Sequence, residues 1–252
     1  MRFDVMTLFP DMLENIFNES IIGRARKKGL LDIRTYNIRD WSGNKHNKVD
    51  DTPYGGGMGM LMAAPPIYNC YSAITEDAEK KPYTVYLSPK GKPFTQDVAR
   101  ELLEKGRIVL LCGHYEGVDQ RVLDEIVDEE ITVGDFVLTG GELPAAIIVD
   151  AVSRMVDGVL PNEDCYENES VASGMLEYPQ YTRPFEFHGV SVPEVLISGN
   201  HEKIETWRFE KSLELTREKR PDLYERLDLD EEKRKLKERI RKACLGGVVD
   251  DE

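Results

Sequence analysis

The chain has 252 residues, of which 40% are hydrophobic and 32% charged, and its formal net charge at pH 7 is −14. This length and composition predict a globular protein with one large domain, or a medium domain and a small one. The sequence contains no apolar run of about eighteen residues that could cross a membrane, and its N-terminus lacks the apolar core of a signal peptide. The acidic total argues against a nucleic-acid partner, because phosphate neutralisation dominates such binding.

The cysteines and the basic residues refine this view. The four cysteines are scattered without a pairing pattern, which predicts reduced thiols and a cytoplasmic protein. No CxxC or HxxxH motif occurs, so we expect no structural zinc site. Residues 23–48 are locally basic and are compatible with RNA binding, although charge alone favours a solvated face. Their cations are Arg24, Arg26, Lys27, Lys28, Arg34, Arg39, Lys45 and Lys48.

The first two-thirds of the chain alternates short apolar runs with segments of helical periodicity. The predicted strands are residues 3–9, 84–87, 108–112, 130–133 and 136–138. The predicted helices are residues 11–28, 95–105, 119–127 and 143–155. Thr95 is a candidate N-cap, and Gly106 ends the helix that follows it. The alternation predicts an α/β domain with a mainly parallel sheet.

The composition changes after residue 160. Residues 161–173 are polar and poor in apolar side chains, which is typical of a linker. Beyond them we predict helices over residues 201–217 and 231–245, with another helix that begins at Pro221. We therefore expect a first domain over residues 1–160, a linker over residues 161–174 and a small helical domain over residues 175–252.

Three loops are unusual in composition or position. Residues 50–60 contain four glycines within five positions, so their backbone can approach a ligand or move as a lid, or simply form a flexible turn. No Gly-Lys-Ser or Gly-Lys-Thr follows, which excludes a P-loop. Residues 86–91 follow a strand, where open α/β sheets bind ligands, but a plain turn explains them equally well.

The third loop region comprises residues 112–117 and 133–144. Its glycines expose backbone N–H and C=O groups, which can hydrogen-bond an adenine or a ribose without side chains. No GxGxxG follows the first strand, so an ordinary dinucleotide-binding fold is not expected. His114 in this region is a candidate base, although a hydrogen-bonding loop residue is the simpler interpretation. Arg154 needs an anionic partner, and an ion pair with Asp150 one turn earlier is the alternative.

Seven segments resemble the bacterial tRNA (guanine-N1)-methyltransferases of the SPOUT, or trefoil-knot, superfamily. They run in the family's order along nearly the whole chain. They are FDVMTLFP (residues 3–10), VDDTPYGGGMGM (49–60), YLSPKG (86–91), LCGHYEGVD (111–119), ITVGDFVLTGGELP (131–144), EYPQYTRP (177–184) and VPEVLISGNH (192–201).

The resemblance implies a deep trefoil knot whose loops hold S-adenosyl-L-methionine in a bent shape. The implied activity is methylation of N1 of the guanosine 3′ to the anticodon, position 37 of tRNA. The implied cofactor-binding residues are Tyr86, Leu87, Ser88, Pro89, Gly113, Tyr115, Glu116, Val133, Gly134, Asp135, Phe136, Val137, Leu138, Gly140, Gly141 and Pro144.

The resemblance also implies a homodimer with each active site between the knot of one subunit and the C-terminal domain of the other. The family's base is an Asp, but the matching position here is Glu169, one methylene longer. Arg154 matches the arginine that stabilises charge at O6 of guanine. The family is described as needing Mg²⁺, for which the sequence offers no recognisable ligand set. The C-terminal helices and the basic residues would contact the tRNA anticodon stem-loop.

Two other functions stay open at this point. Because Glu169 departs from the family pattern, the protein could be a tRNA-binding protein that has lost catalysis. The chain could also methylate another RNA, at a base or at a ribose 2′-hydroxyl.

Overall fold

The computed structural model describes residues 1–161, 170–171 and 173–246. Contacts within the chain divide it into two compact units, Met1–Glu163 and Asp164–Glu252. The domain and linker bounds expected from the sequence stay a prediction, because most of the linker lies outside the described residues. Within the described ranges, no helix is long and apolar enough to span a membrane.

A five-stranded sheet forms the centre of the first unit. The strands are β1 (Arg2–Thr7), β2 (Asp32–Asn37), β3 (Asp50–Asp51), β4 (Leu61–Met62), β5 (Tyr83–Pro93), β6 (Arg107–Cys112) and β7 (Glu129–Thr132). The sheet has the order β2-β1-β6-β5-β7, and all of its neighbouring strands are parallel. The short strands β3 and β4 form a separate antiparallel pair. The predicted α/β class with a parallel sheet is confirmed, while the trefoil knot stays a prediction.

Among the described residues of this unit, six α-helices accompany the sheet, and all but the last connect its parallel strands, as crossovers require. They are α1 (Pro10–Phe17), α2 (Ser20–Lys27), α3 (Ala64–Thr75), α4 (Gln96–Leu103), α5 (Gln120–Ile126) and α6 (Glu142–Ser153). Thr95 caps α4 as predicted, since its hydroxyl accepts a hydrogen bond from the Val98 N–H. The apolar run of β6 is buried from Ile108 to Cys112, as expected for a central strand covered on both faces.

The helix predicted over residues 11–28 is wrong as one element, because the chain turns between α1 and α2. A Cβ on Gly23 would lie 2.1 Å from the carbonyl oxygen of Asn18, so this glycine lets α2 pack directly on the turn. Ser20 has a φ of 53°, a conformation that ends helical geometry. Apolar spacing continues through the turn, so periodicity alone could not reveal it. The strand predicted over residues 136–138 is also wrong, since these residues form a loop.

Strand β5 changes register against β7 within residues 86–91, for which the sequence left a ligand-binding loop and a plain turn equally open. Leu87 and Lys92 both align with Ile131, and residues 88–91 lie between the two paired stretches. A Cβ on Gly91 would lie 2.4 Å from the backbone of Glu130. Gly91 therefore allows β5 to pair with β7 again after the irregular segment. Ser88 and Pro89 of that segment lie at the edge of a cavity.

The second unit is mainly helical, with α7 (His201–Lys219), α8 (Pro221–Tyr224) and α9 (Leu229–Gly246). A short antiparallel pair, β8 (Glu186–Phe187) and β9 (Val190–Ser191), precedes them. Thr216 ties α7 to the preceding loop, because its hydroxyl accepts a hydrogen bond from the Leu176 N–H over 2.9 Å. The helices predicted in this region are confirmed within two residues at each end.

Candidate active site

A cavity lies where β6 and β7 end and where β5 leaves its pairing with β6. Its volume is about 160 Å³, whereas a single water needs roughly 10–15 Å³ by the same measure. The cavity is therefore large enough for part of an organic ligand. It is lined by Tyr86, Leu87, Ser88, Pro89, Gly113, His114, Tyr115, Gly117, Ile131, Thr132, Val133, Phe136, Val137, Leu138, Thr139, Gly140, Gly141 and Pro144.

Most residues that the sequence analysis assigned to a cofactor are brought together here. Glu116, Gly134 and Asp135 do not line the cavity. Glu116 instead packs on the glycine-rich loop, since a Cβ on Gly59 would lie 2.4 Å from its Cγ. A Cβ on Gly134 would lie 2.4 Å from the ring of Phe136. Gly134 therefore supports the wall of the cavity by letting Phe136 turn back over it.

Five residues that were not predicted to bind the cofactor also line the cavity: His114, Gly117, Ile131, Thr132 and Thr139. The available signal was their position, because each lies within or directly beside a glycine-rich loop at a strand end. His114 interacts with Glu142, whose Oε2 is 2.7 Å from the histidine Nε2. This contact agrees with the interpretation of His114 as a hydrogen-bonding loop residue.

Two backbone segments of the wall, the loop after β6 at Gly113 and the loop before α6 at Gly141, contact each other. The Gly141 N–H donates to the Gly113 carbonyl over 3.0 Å. A Cβ on Gly141 would lie 2.7 Å from the Cα of Cys112, a separation that real Cβ contacts do not show. The glycines are needed here because two backbones approach more closely than a side chain permits.

Tyr115 occupies a strained position at the cavity. Its φ is 59°, in the left-handed region that is uncommon for a residue other than glycine. Its phenolic oxygen accepts a hydrogen bond of 3.4 Å from Nη2 of Arg39, and 47% of the residue is exposed. Such strain is often found where a loop is held ready for a ligand.

Two buried ionisable groups at or beside the cavity wall have raised pKa values. Burial, and then the charge of Glu130, raise the pKa of Tyr86 to about 12. Burial also raises the pKa of the thiol of Cys112, the residue before Gly113, well above its usual range, with a further contribution from Glu142. Both groups are therefore neutral at pH 7, and neither is ionised to act as a nucleophile or a base.

The glycine-rich loop of residues 50–60 is anchored beside the cavity. The Glu116 N–H donates to the Met60 carbonyl over 3.0 Å, and the Met62 N–H donates to the Gly117 carbonyl over 2.9 Å. The tip of the loop is open to solvent, since Tyr54 is 99% and Met58 93% exposed. The loop is therefore fixed at its end and free at its tip, next to the wall formed by residues 113–117.

Of the two predicted catalytic residues, only Arg154 is described, and it does not line this cavity. Glu169 lies outside the described residues. Arg154 directly follows α6 and lines a different cavity, together with Ser20, Ala146 and Asp150. Pro144, at the start of α6, lines the ligand cavity, and the ten residues from 144 to 154 span about 15 Å of helix. Within one chain, Arg154 therefore lies away from the ligand cavity.

No metal site accompanies these cavities in the part of the chain that the structure describes. In those ranges, no group of three or more His, Cys, Asp or Glu side chains is arranged to hold a metal ion. The described residues therefore provide no cage of three or more such ligands for Mg²⁺.

The fold and the cavity define an α/β protein with a small-ligand site at the carboxyl ends of parallel strands. The family model described as tRNA (Guanine-1)-methyltransferase TrmD matches residues 1–226, and the chain belongs to this family. It is 54% identical over 227 residues to the tRNA (guanine-N(1)-)-methyltransferase of Ruminiclostridium cellulolyticum, covering 90% of this chain and 97% of that one.

Two further relatives carry the same name. The protein of Clostridioides difficile is 53% identical over 227 residues, which cover 90% of this chain and 98% of the relative. The protein of Clostridium botulinum strain Langeland is 54% identical over 236 residues, covering 94% of this chain and 97% of the relative. These matches extend over the sheet, the cavity and most of the helical unit.

Proposed function

We propose that this protein transfers a methyl group from S-adenosyl-L-methionine to N1 of the guanosine at position 37 of tRNA. The observation that carries the proposal is the cavity at the ends of β5, β6 and β7, in a chain that belongs to the tRNA (Guanine-1)-methyltransferase family. Its walls contain the family's glycine-rich motifs in spatial contact. The assay is methyl transfer to a tRNA transcript with guanosine at position 37, with the methylated atom located on the product.

The chemistry of the cavity suits S-adenosyl-L-methionine. Backbone groups of residues 113 and 140 can hydrogen-bond an adenine and ribose, while Leu87, Ile131 and Leu138 provide apolar surface. None of the described residues that line the cavity is Lys or Arg, so no permanent cation opposes a sulfonium. When bound, the cofactor supplies an electrophilic methyl group, and the protein's part is to bind and orient it.

The chemistry at guanine requires a base and a cation from elsewhere in the protein. The bond from N1 to the methyl carbon forms as the carbon–sulfur bond breaks, and the N1 proton leaves to a base. We assign that base to Glu169, whose carboxylate would accept the proton. As that proton leaves, and before the bond to the methyl carbon is complete, negative charge develops towards O6, and we assign Arg154 to stabilise it. The extra methylene of Glu169 requires the linker to place its backbone slightly further away than an Asp would.

A homodimer is part of the same proposal. Exposed apolar side chains lie on the adjoining helices α1 and α6 and at Phe9, which directly precedes α1. The exposed fractions are 47% for Phe9, 43% for Met12, 42% for Ile16, 45% for Leu143 and 48% for Ile147. Phe9, Met12 and Leu143 also line one shared cavity. Exposed apolar patches of this kind mark interaction sites. A second copy on this face would bring its Arg154 to a ligand cavity that this chain's own Arg154 does not line.

Contact with tRNA would come from the basic residues and the helical unit. Arg26 pairs with Glu14, Arg34 with Asp32, and Lys48 with Asp51, which leaves a smaller set to meet phosphates. Arg24, Lys27, Lys28 and Lys45 are exposed. We propose that these cations contact phosphates, while α7 to α9 contact the anticodon stem-loop. Because contacts between these cations and phosphates release counterions, we expect this binding to weaken as the salt concentration rises.

The cellular and domain assignments complete the proposal. A tRNA substrate and the scattered cysteines favour a cytoplasmic protein. Domains over residues 1–160 and 175–252, joined by residues 161–174, are supported by the boundary between the two compact units at Glu163.

The binding-only alternative predicts that wild-type protein binds tRNA without turnover. A turnover that Glu169→Gln abolishes, with cofactor binding intact, would exclude it.

A further inference from the structure

Two buried polar side chains and a partly exposed histidine, from three separate elements, meet beside the ligand cavity. Thr7, at the end of β1, donates from Oγ1 to Oε1 of Glu142 over 2.6 Å. Oε2 of Glu142 lies 2.7 Å from Nε2 of His114. Thr7 is fully buried and Glu142 is 2% exposed. We refer to these three residues as the Thr7–Glu142–His114 array.

The Thr7 hydroxyl has a fixed hydrogen-bonding role. The Phe9 N–H donates to Oγ1 of Thr7 over 2.9 Å, which leaves the Thr7 hydroxyl hydrogen for Glu142. The other carboxylate oxygen of Glu142 shares a hydrogen bond with Nε2 of His114. Glu142 is also in the first turn of α6, where the helix dipole favours a negative charge.

The array lies beneath both backbone loops of the cavity. A Cβ on Gly140 would lie 2.2 Å from Cε1 of His114 and 2.6 Å from Oε2 of Glu142, so the Gly140 backbone packs directly on the pair. His114 is next to Gly113, which accepts a hydrogen bond from Gly141. The array therefore connects the loop after β6 and the loop before α6 to the rigid end of β1.

We propose that Thr7, Glu142 and His114 are positioning residues that hold the two loops at the separation that binds the cofactor. This proposal rests on the proposed function, since it concerns the S-adenosyl-L-methionine cavity. Thr7 and Glu142 do not line that cavity, so Thr7 acts only through Glu142. A buried carboxylate that loses a partner rearranges to find another one, and His114 and Gly140 move with it.

The test is to replace Thr7, because it is remote from the ligand. Thr7→Val keeps the shape of the side chain and removes the hydroxyl, while Thr7→Ser keeps the hydroxyl. By calorimetry we expect the Kd for S-adenosyl-L-methionine to rise roughly tenfold in Thr7→Val, the size expected for a lost hydrogen bond to a charge. In Thr7→Ser it should stay within about twofold. At saturating cofactor, kcat should change less than about threefold, because Thr7 meets no reacting group.

A matched control separates positioning from loss of stability. Ile33→Val in β2 shortens a buried side chain of the same sheet, and should lower the melting temperature without changing the cofactor Kd. If Thr7→Val lowers the melting temperature but binds the cofactor as tightly as wild type, the array is purely structural and the proposal fails. A fall in kcat at unchanged Kd would also overturn it. Wild-type protein that does not bind the cofactor would instead overturn the proposed function itself.

Discussion

Replacing Gly141 by alanine tests whether the contact between the two loops builds the ligand cavity. Gly141 has an ordinary φ of −84°, so an alanine meets no backbone strain there. Its new methyl group would lie 2.7 Å from the Cα of Cys112, where contacts below 3.0 Å require movement. The obstacle is the backbone of a buried strand, which cannot rotate away as a flexible side chain would.

The required displacement can be worked out from these distances. To restore an ordinary contact of 3.4 Å, the two loops must separate by 3.4 − 2.7 = 0.7 Å. The hydrogen bond from Gly141 to Gly113, now 3.0 Å, would lengthen beyond the limit of a real bond, a loss of about 1 kcal/mol. Because both loops form the cavity wall, we expect the Kd for S-adenosyl-L-methionine to rise by roughly 10- to 100-fold.

Calorimetric titration of Gly141→Ala with S-adenosyl-L-methionine measures this change. The control is Gly106→Ala, at the opposite end of β6, where φ is +71° and no atom lies within 4 Å of an added Cβ. That variant carries backbone strain of about 1–2 kcal/mol but should bind the cofactor like wild type. Equal affinity of Gly141→Ala and wild type would refute the inference that these loops form the cofactor site.

Four further predictions concern catalysis, the sharing of sites between subunits, alkaline stability and RNA binding. Arg154→Ala should lower kcat on the order of 100-fold with little change in cofactor Kd, whereas a raised Kd at normal kcat would assign it a structural role. Mixing inactive Arg154→Ala with Gly134→Val subunits should restore roughly a quarter of wild-type activity if each site uses two subunits, and none if both residues act within one chain. The pKa of Tyr86 is about 12 in the folded protein, against an ordinary 10.0, so the folded state favours the neutral phenol. This contribution to stability is complete below pH 10 and is lost as pH rises towards 12. Tyr86→Phe should therefore show a weaker fall in unfolding free energy over that window, by up to roughly 3 kcal/mol, and an unchanged fall would refute the assignment. The Kd for tRNA should rise steeply with salt while the cofactor Kd stays nearly constant, and a salt-independent tRNA Kd would exclude phosphate contacts by residues 24–48.

The sequence predicted the elements whose signals are local. The continuous apolar run of β6, the Thr95 cap of α4 and the apolar face of α6 depend on neighbouring residues, and the structure contains all three. The turn that divides residues 11–28 was missed, because Gly23 acts by letting two backbones meet rather than by breaking a pattern. The edge strand Asp32–Asn37 was also missed, since it is half-exposed and has no continuous apolar run.

The amino-acid sequence by itself determined the parallel α/β class, the glycine-rich loops and the membership of the family, because these are written in periodicity and in ordered motifs. Only the tertiary structure decided which polar groups meet. Thr7 and Glu142 are 135 residues apart, and no spacing rule relates them to His114. The folded chain also placed Arg154 away from its own ligand cavity. Such contacts depend on strand order and register, which are set by the packing of the whole sheet.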